Sequence, residues 1–130
     1  MEKNRDMNKK TREAVYQKYD GHCAYCGKEI EYKDMQVDHM YSKSSGESYA
    51  RIIGNVELES MENYMPTCRR CNNYKSNLSL PGWRAFMERL HERAVTQTSV
   101  KVGVDFGIVT VKPFDGKFYF EKVTEKNEHV

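Results

Sequence analysis

The hexapeptide Met35-Gln-Val-Asp-His-Met40 lies between two Cys-x-x-Cys pairs, at positions 23/26 and 68/71. It is a short apolar and β-favouring run that ends in Asp38-His39. This ending places a carboxylate, a common metal ligand, beside the side chain that most often serves as a general base. We therefore expect the rest of the chain to hold Asp38 and His39 in one place.

Size and composition predict a single domain with a modest core. The chain has 130 residues, of which 38% are hydrophobic, and its mean hydropathy is −0.85. A chain of this length can bury roughly two thirds of its unfolded surface, but this sequence has few apolar side chains to bury. A structural metal would help to offset that shortfall.

The charges are unevenly distributed along the chain. Residues 29–62 contain eight acids and three bases, whereas residues 69–101 contain seven bases and two acids. A basic second half next to acidic metal ligands suits a polyanionic substrate that is held together with a cation. A solvated surface of mixed charge explains the same distribution equally well.

The four cysteines form two knuckles whose spacing is typical of a zinc site. Each pair can turn two sulfurs towards one ion, and two pairs complete the closed tetrahedral set that Zn²⁺ prefers. A redox pair would lack its βαβ context and would not explain two pairs. The sequence therefore predicts a structural zinc bound by Cys23, Cys26, Cys68 and Cys71.

The sequence also predicts a cytoplasmic protein without a membrane partner. Residues 1–13 are charged and polar, without the apolar stretch of a signal peptide, and no run approaches the length of a membrane span. In a reducing compartment, paired Cys-x-x-Cys motifs indicate a metal site before they indicate disulfides.

Hydrophobic periodicity and turn residues predict the secondary structure. We expect a helix over 9–19, a strand over 32–37 that leads to Asp38, and a short helix from Cys71. An amphipathic helix is predicted over residues 83–94. Two β-rich runs, 107–112 and 117–123, predict a C-terminal hairpin around Pro113-Phe114-Asp115-Gly116.

Three motifs of the sequence, taken in order, resemble those of a known family. Cys-x-x-Cys-Gly, then Val-Asp-His, then Asn-Tyr-Met-Pro-Thr-Cys-Arg-Arg-Cys-Asn-Asn-Tyr-Lys-Ser-Asn is similar to the zinc-bound form of the HNH endonucleases. The resemblance covers roughly residues 21–77. It implies an α+β fold, namely a ββα-metal, treble-clef-like module with a structural zinc knuckle and flanking helices. We expect one nuclease domain over residues 1–130, with an accessory helix and hairpin over 81–123.

The resemblance also implies roles for individual residues. His39 would be the general base that takes a proton from water, and Asn63 would fix the loop around it. Asp38 and Asn72 would hold one catalytic cation; because both offer hard oxygen ligands, Mg²⁺ is expected, with Mn²⁺ as a substitute. Family members leave 5′-phosphate and 3′-hydroxyl ends. The partner would be DNA, and the bases placed to grip its flanking phosphates are Arg69, Arg70 and Lys75.

Several alternatives stay open at this stage. Asn73 and Asn77 lie near Asn72 and could hold the cation in its place. A zinc-knuckle module that binds nucleic acid without cutting it would explain the cysteines and the basic second half. It would not explain why Asp38, His39, Asn63 and Asn72 occur together. The family serves restriction, homing, phage packaging and toxins, so we expect a bacterial or phage-encoded protein, as a monomer or a homodimer.

Overall fold

A computed structural model of the protein describes residues 7–128, with side chains up to residue 127. This part of the chain forms two compact units: residues 7–80 together with 118–128, and Pro81–Lys117. The sequence predicts a single domain over residues 1–130, and that assignment stays a prediction. No helix within the described range is long and apolar enough to cross a membrane.

The regular elements make this an α+β protein with one small sheet in its described part. The predicted first helix is confirmed, and the predicted strand is displaced towards Asp38 because Tyr32–Asp34 forms a 3-10 turn instead. In chain order the elements are α1 (Lys9–Gln17), β1 (Gln36–His39), α2 (Glu47–Gly54), β2 (Tyr64–Thr67), α3 (Arg69–Lys75), α4 (Leu80–Glu88), α5 (Leu90–Ala94), α6 (Thr98–Asp105) and α7 (Tyr119–Glu128).

The sheet consists of β1 and β2, which pair antiparallel. In this register Asp38 is opposite Met65 and His39 is opposite Tyr64. All four residues of β1 are buried, so both faces of the strand are covered by protein. A short strand buried on both faces is held in register by its neighbours, which fixes the backbone at Asp38 and His39.

Two small apolar clusters form the core of the first unit. One contains Val15, Met35 and Val37, which joins α1 to the start of β1. The other contains Tyr41, Ala50 and Leu58, which joins the segment after β1 to α2 and to the loop that follows it. The two clusters therefore lie before and after the Asp38-His39 dipeptide in the chain and anchor it from both ends.

The predicted C-terminal hairpin is wrong. Residues 107–118 contain no strand, and the chain then forms the helix α7. The helix begins with a capping contact in which the Phe118 N–H donates to Glu121 Oε1 at 2.9 Å, three residues along, as in a capping box. The β-favouring aromatic residues at its start misled the prediction, because they pack instead on the first cysteine knuckle.

The second unit contains most of α4, with α5 and α6. The predicted helix over 83–94 is present but interrupted: α4 ends at Glu88, and Arg89 has left the helical backbone region, with φ −109° and ψ 7°. The helix α6 was not predicted. Several apolar side chains are exposed on α6 and just after it, among them Val102, Phe106 and Ile108.

Candidate functional site

The four cysteines lie together, as the sequence predicts. Their sulfur atoms all lie within 4.8 Å of one another, and Cys26 Sγ is 4.0 Å from Cys68 Sγ. In a tetrahedral zinc site with Zn–S bonds of about 2.3 Å, neighbouring sulfurs are about 3.8 Å apart. All four thiols are free. The cluster therefore fits a structural Zn²⁺ ion and leaves it no open position for chemistry.

The backbone around the first knuckle explains how two sulfurs converge. The Gly27 N–H donates to the Cys23 carbonyl at 2.9 Å, which closes a tight turn. Gly27 has φ +83°, and a Cβ at this position would lie 2.6 Å from the Tyr119 ring. Both the left-handed backbone and the close approach of Tyr119 require glycine.

The second knuckle opens the helix α3. Cys68 is the N-cap residue, and its sulfur accepts the Cys71 N–H at 3.3 Å. Two further backbone bonds anchor the first knuckle: Ala24 N–H donates to the Pro66 carbonyl of β2, and Phe120 N–H donates to the Ala24 carbonyl, both at 2.8 Å. The cluster thus joins the first knuckle, β2, α3 and the start of α7.

Asp38 is buried beside this cluster. Its carboxylate, about 2% exposed, accepts a hydrogen bond on Oδ2 from the Tyr25 hydroxyl at 2.7 Å. Tyr25 stands between the two cysteines of the first knuckle, so it links the cluster directly to β1. Complete burial raises the pKa of Tyr25 well above its ordinary value, and the charge of Asp38 raises it further. Tyr25 was not singled out from the sequence, since nothing local marks a tyrosine as the partner of a residue 13 positions away.

The burial of Lys75 contradicts the expectation that this residue binds phosphate. Its side chain is 0% exposed, and its Nζ lies 2.9 Å from Asp38 Oδ2. The ammonium also donates to the carbonyl oxygens of His39 at 3.1 Å and Leu78 at 2.6 Å. Lys75 therefore neutralises Asp38 and positions the β1 backbone at His39, and its charge is not available on the surface.

Asn63 is fully buried and binds the loop that follows β1. Its Oδ1 accepts the Tyr41 N–H at 2.8 Å, and its Nδ2 donates to the carbonyls of Tyr41 at 3.0 Å and Leu58 at 2.9 Å. One side chain thus satisfies three backbone groups of the loops around it. These bonds fix the backbone two residues after His39.

His39 follows Asp38 directly on β1, and successive side chains of a strand point to opposite faces. Its Nε2 lies 3.0 Å from Glu59 Oε1, and its ring packs edge-on against Tyr64 with 5.4 Å between ring centres. Its Nδ1 is buried and has no hydrogen-bond partner among the described residues. The ring lines a cavity of about 370 Å³ with Glu59 and Tyr64; the remaining lining residues are Met7, Asn8, Thr11 and Lys43.

Comparison with known proteins finds a match to one family model. Residues 23–78 match the family model described as HNH endonuclease. The predicted resemblance of this segment to the HNH endonucleases is confirmed by the match. Among solved structures, the type II-C Cas9 enzyme from Actinomyces naeslundii is similar at 20% identity, over 74% of this chain and 10% of that chain, with a TM-score of 0.47. The chain therefore spans about a tenth of that protein. No curated protein matches the sequence.

Within the HNH segment the structure distinguishes the three candidate asparagines. Asn73 and Asn77 are exposed, whereas Asn72 is half-buried. Asn72 is three residues before Lys75 on α3, so both lie on one helix face, and Lys75 reaches Asp38 from that face.

The donor types of Asp38 and Asn72 fit a hard divalent cation, since both offer oxygen. Two acceptor positions of the carboxylate, which has about four, are taken by the bonds from Tyr25 and Lys75 to Oδ2. A cation at Asp38 would therefore share the group with the ammonium of Lys75. Asp38 and Asn72 are not among the residues that line the His39 cavity.

The remaining basic residues of the HNH segment are on the surface. Arg69 and Arg70 open α3 and are exposed. They line a cavity of about 810 Å³ next to the second knuckle, together with Lys28 and Tyr74; the other lining residues are Glu29, Ile30, Glu31, Asp34, Cys68 and Asn73. These arginines, unlike Lys75, can present their guanidinium groups to an anion.

Proposed function

We propose that the protein is a metal-dependent HNH endonuclease that hydrolyses phosphodiester bonds of DNA, with His39 as its general base. The observation that carries the proposal is the hydrogen bonding of the two nitrogens of the His39 ring. Nε2 is hydrogen-bonded to the Glu59 carboxylate, and Nδ1 is buried without a hydrogen-bond partner among the described residues. A buried polar atom without a partner costs about 1–3 kcal/mol, and in the proposal the attacking water is the partner of this nitrogen.

The proposed reaction is a hydrolysis. A water molecule gives a proton to His39, and its oxygen attacks the phosphorus. The bond from phosphorus to the 3′ oxygen breaks, and that oxygen leaves and takes a proton from solvent, which gives 5′-phosphate and 3′-hydroxyl ends. A histidine is suited to this step because its ordinary pKa lies near neutrality.

Asp38 and Asn72 would hold the catalytic Mg²⁺ or Mn²⁺. When bound, such an ion supplies positive charge that stabilises the attacked phosphate and the leaving oxygen. In the proposal, Tyr25 and Lys75 position the Asp38 carboxylate, and Asn63 positions the loop after His39. The zinc cluster has a mechanical task, because Tyr25 and α3 reach Asp38 from its two knuckles. We propose that β1, β2 and α3 together form the ββα-metal module.

Arg69 and Arg70 would bind the DNA backbone. Arginine pairs well with phosphate because its planar fork donates two parallel hydrogen bonds. Lys75 is not among the proposed DNA-binding residues, because its ammonium group is buried. The double variant Arg69→Ala/Arg70→Ala should weaken DNA binding at every sequence and reduce the salt dependence of the affinity. A filter-binding titration at several salt concentrations measures both effects.

Plasmid cleavage tests the activity. The zinc-loaded full chain should convert supercoiled DNA to nicked or linear forms with Mg²⁺ or Mn²⁺ and stop when EDTA is added. The variant His39→Ala should lose cutting and keep its zinc and DNA affinity, whereas His91→Ala, in the second unit, serves as the matched control and should cut normally. Binding without any metal-dependent cutting by the wild type would favour a zinc-knuckle module that only binds nucleic acid.

A further inference from the structure

We propose that Glu59 is a positioning residue for His39: its carboxylate holds the Nε2–H tautomer and leaves Nδ1 as the basic nitrogen. This inference rests on the proposed function, since it assigns a role within the same site. The carrying observation is the distance of 3.0 Å between His39 Nε2 and Glu59 Oε1, in a ring that is about 5% exposed. No motif in the sequence points to Glu59, which lies 20 residues after His39.

The chemistry of the two groups decides which nitrogen carries the proton. An ionised carboxylate can only accept hydrogen bonds, so Nε2 must be the donor. A neutral imidazole has one N–H, and its other nitrogen then has a lone pair. The lone pair is therefore on Nδ1, the nitrogen that has no partner among the described residues. The hydrogen bond thus selects the atom that can take a proton from water.

The surroundings keep Glu59 ionised and in place. The Tyr64 hydroxyl donates to the same Oε1 at 3.0 Å, and Lys43 Nζ lies 3.9 Å from Oε2. Burial alone would raise the pKa of the Glu59 carboxyl, but the hydrogen bonds from His39 and Tyr64 and the charge of Lys43 together lower it. Tyr64 also packs on the His39 ring, so one residue restrains both members of the pair.

A carboxylate in this place also helps the proton-transfer step. When Nδ1 takes the proton from water, the imidazole becomes a cation, and the negative charge on Glu59 stabilises it. Carboxylates that orient a catalytic histidine act in the same way in hydrolases of unrelated fold. The exposed side of Glu59, about 54% of its side chain, borders the cavity that His39 lines.

The test compares Glu59→Gln with Glu57→Gln in the zinc-loaded full chain. Glutamine has the shape of glutamate, but it has no charge and its amide can donate as well as accept, so it no longer selects a tautomer. Glu57 is the matched control, because it lies two residues away and pairs only loosely with Arg51, at 3.5 Å. We expect Glu59→Gln to lower kcat for Mg²⁺-dependent cleavage of a DNA duplex about 10–100-fold, with KM within about threefold. Glu57→Gln should behave as the wild type.

A second readout needs no activity. Long-range ¹H–¹⁵N correlation spectra of the protein without Mg²⁺, at about pH 8.5 where an ordinary histidine is neutral, report which nitrogen of His39 is protonated. The wild type and Glu57→Gln should show the Nε2–H form, and Glu59→Gln a mixture. A purely structural role for Glu59 would leave both the tautomer and kcat unchanged in Glu59→Gln.

The two readouts separate the failure of this inference from the failure of the proposed function. If the wild type does not cut DNA but the tautomer changes as expected, the contact is right and the nuclease assignment is wrong. If His39→Ala abolishes cutting while Glu59→Gln cuts like the wild type, the inference about Glu59 is overturned. An Nδ1–H tautomer in the wild type would overturn it directly.

Discussion

Replacing Lys75 by methionine should destabilise the protein strongly. Lys75 and Asp38 form an ion pair of 2.9 Å with side chains 0% and 2% exposed. Methionine keeps most of the volume but leaves the Asp38 carboxylate buried without its cation, which typically costs about 3–5 kcal/mol. The carbonyls of His39 and Leu78 lose a charged donor in the same variant. A loss of about 4 kcal/mol lowers the folding equilibrium constant roughly a thousandfold.

Urea unfolding of the zinc-loaded protein, followed by circular dichroism at fixed zinc concentration, measures this loss. The control is Lys33→Met, because Lys33 and its partner Glu31 are 3.8 Å apart with side chains 77% and 74% exposed. An exposed pair of this kind contributes about 0–1 kcal/mol. Equal unfolding free energies for Lys75→Met and Lys33→Met would refute the assignment of Lys75 as the internal counter-ion of Asp38.

Three further predictions concern the same scaffold. Asn63→Ala leaves three buried backbone groups without their partner and should cost at least about 3 kcal/mol by urea unfolding; the exposed control Asn77→Ala should cost under about 0.5 kcal/mol. Cys68→Ser should bind less than one zinc per chain by metal analysis and lose helix by circular dichroism; a normally folded, zinc-free variant would contradict the structural role. Since burial raises the pKa of Tyr25, the folded protein holds this proton more tightly than the unfolded chain. Its contribution to stability is therefore complete below about pH 10 and is lost above it. Unfolding free energy measured between about pH 9 and 11 should fall more steeply in the wild type than in Tyr25→Phe, and identical slopes would exclude Tyr25 as the cause.

The sequence predicted the features that depend on short spacings between residues in the chain. The two Cys-x-x-Cys pairs predict one metal cluster, and the structure brings the four sulfurs within 4.8 Å of one another. The order of Asp38-His39, Asn63 and the second knuckle predicts the HNH family, which the match over residues 23–78 confirms. These signals are local because a knuckle needs only the right turn residues and two thiols.

The features that the sequence predicted wrongly or did not reveal depend on contacts between distant parts of the chain. Lys75 looks like a surface base in a run of basic and polar residues, but it pairs with a carboxylate 37 positions earlier and is buried by that pairing. Glu59 reaches His39 only because the loop before β2 folds back along β1. The run from Tyr119 has strand-like aromatic residues and becomes a helix, because its start binds the backbone of the first knuckle.

The most direct test of the account is the single-turnover rate of Mg²⁺-dependent cleavage of an end-labelled DNA duplex, at saturating zinc-loaded protein. Saturation separates the chemical step from binding. We predict 5′-phosphate ends and a rate for His39→Ala about 10²–10⁴-fold below the wild type, with His91→Ala unchanged. A His39→Ala rate within about threefold of the wild type would contradict the central claim that this imidazole takes the proton from the attacking water.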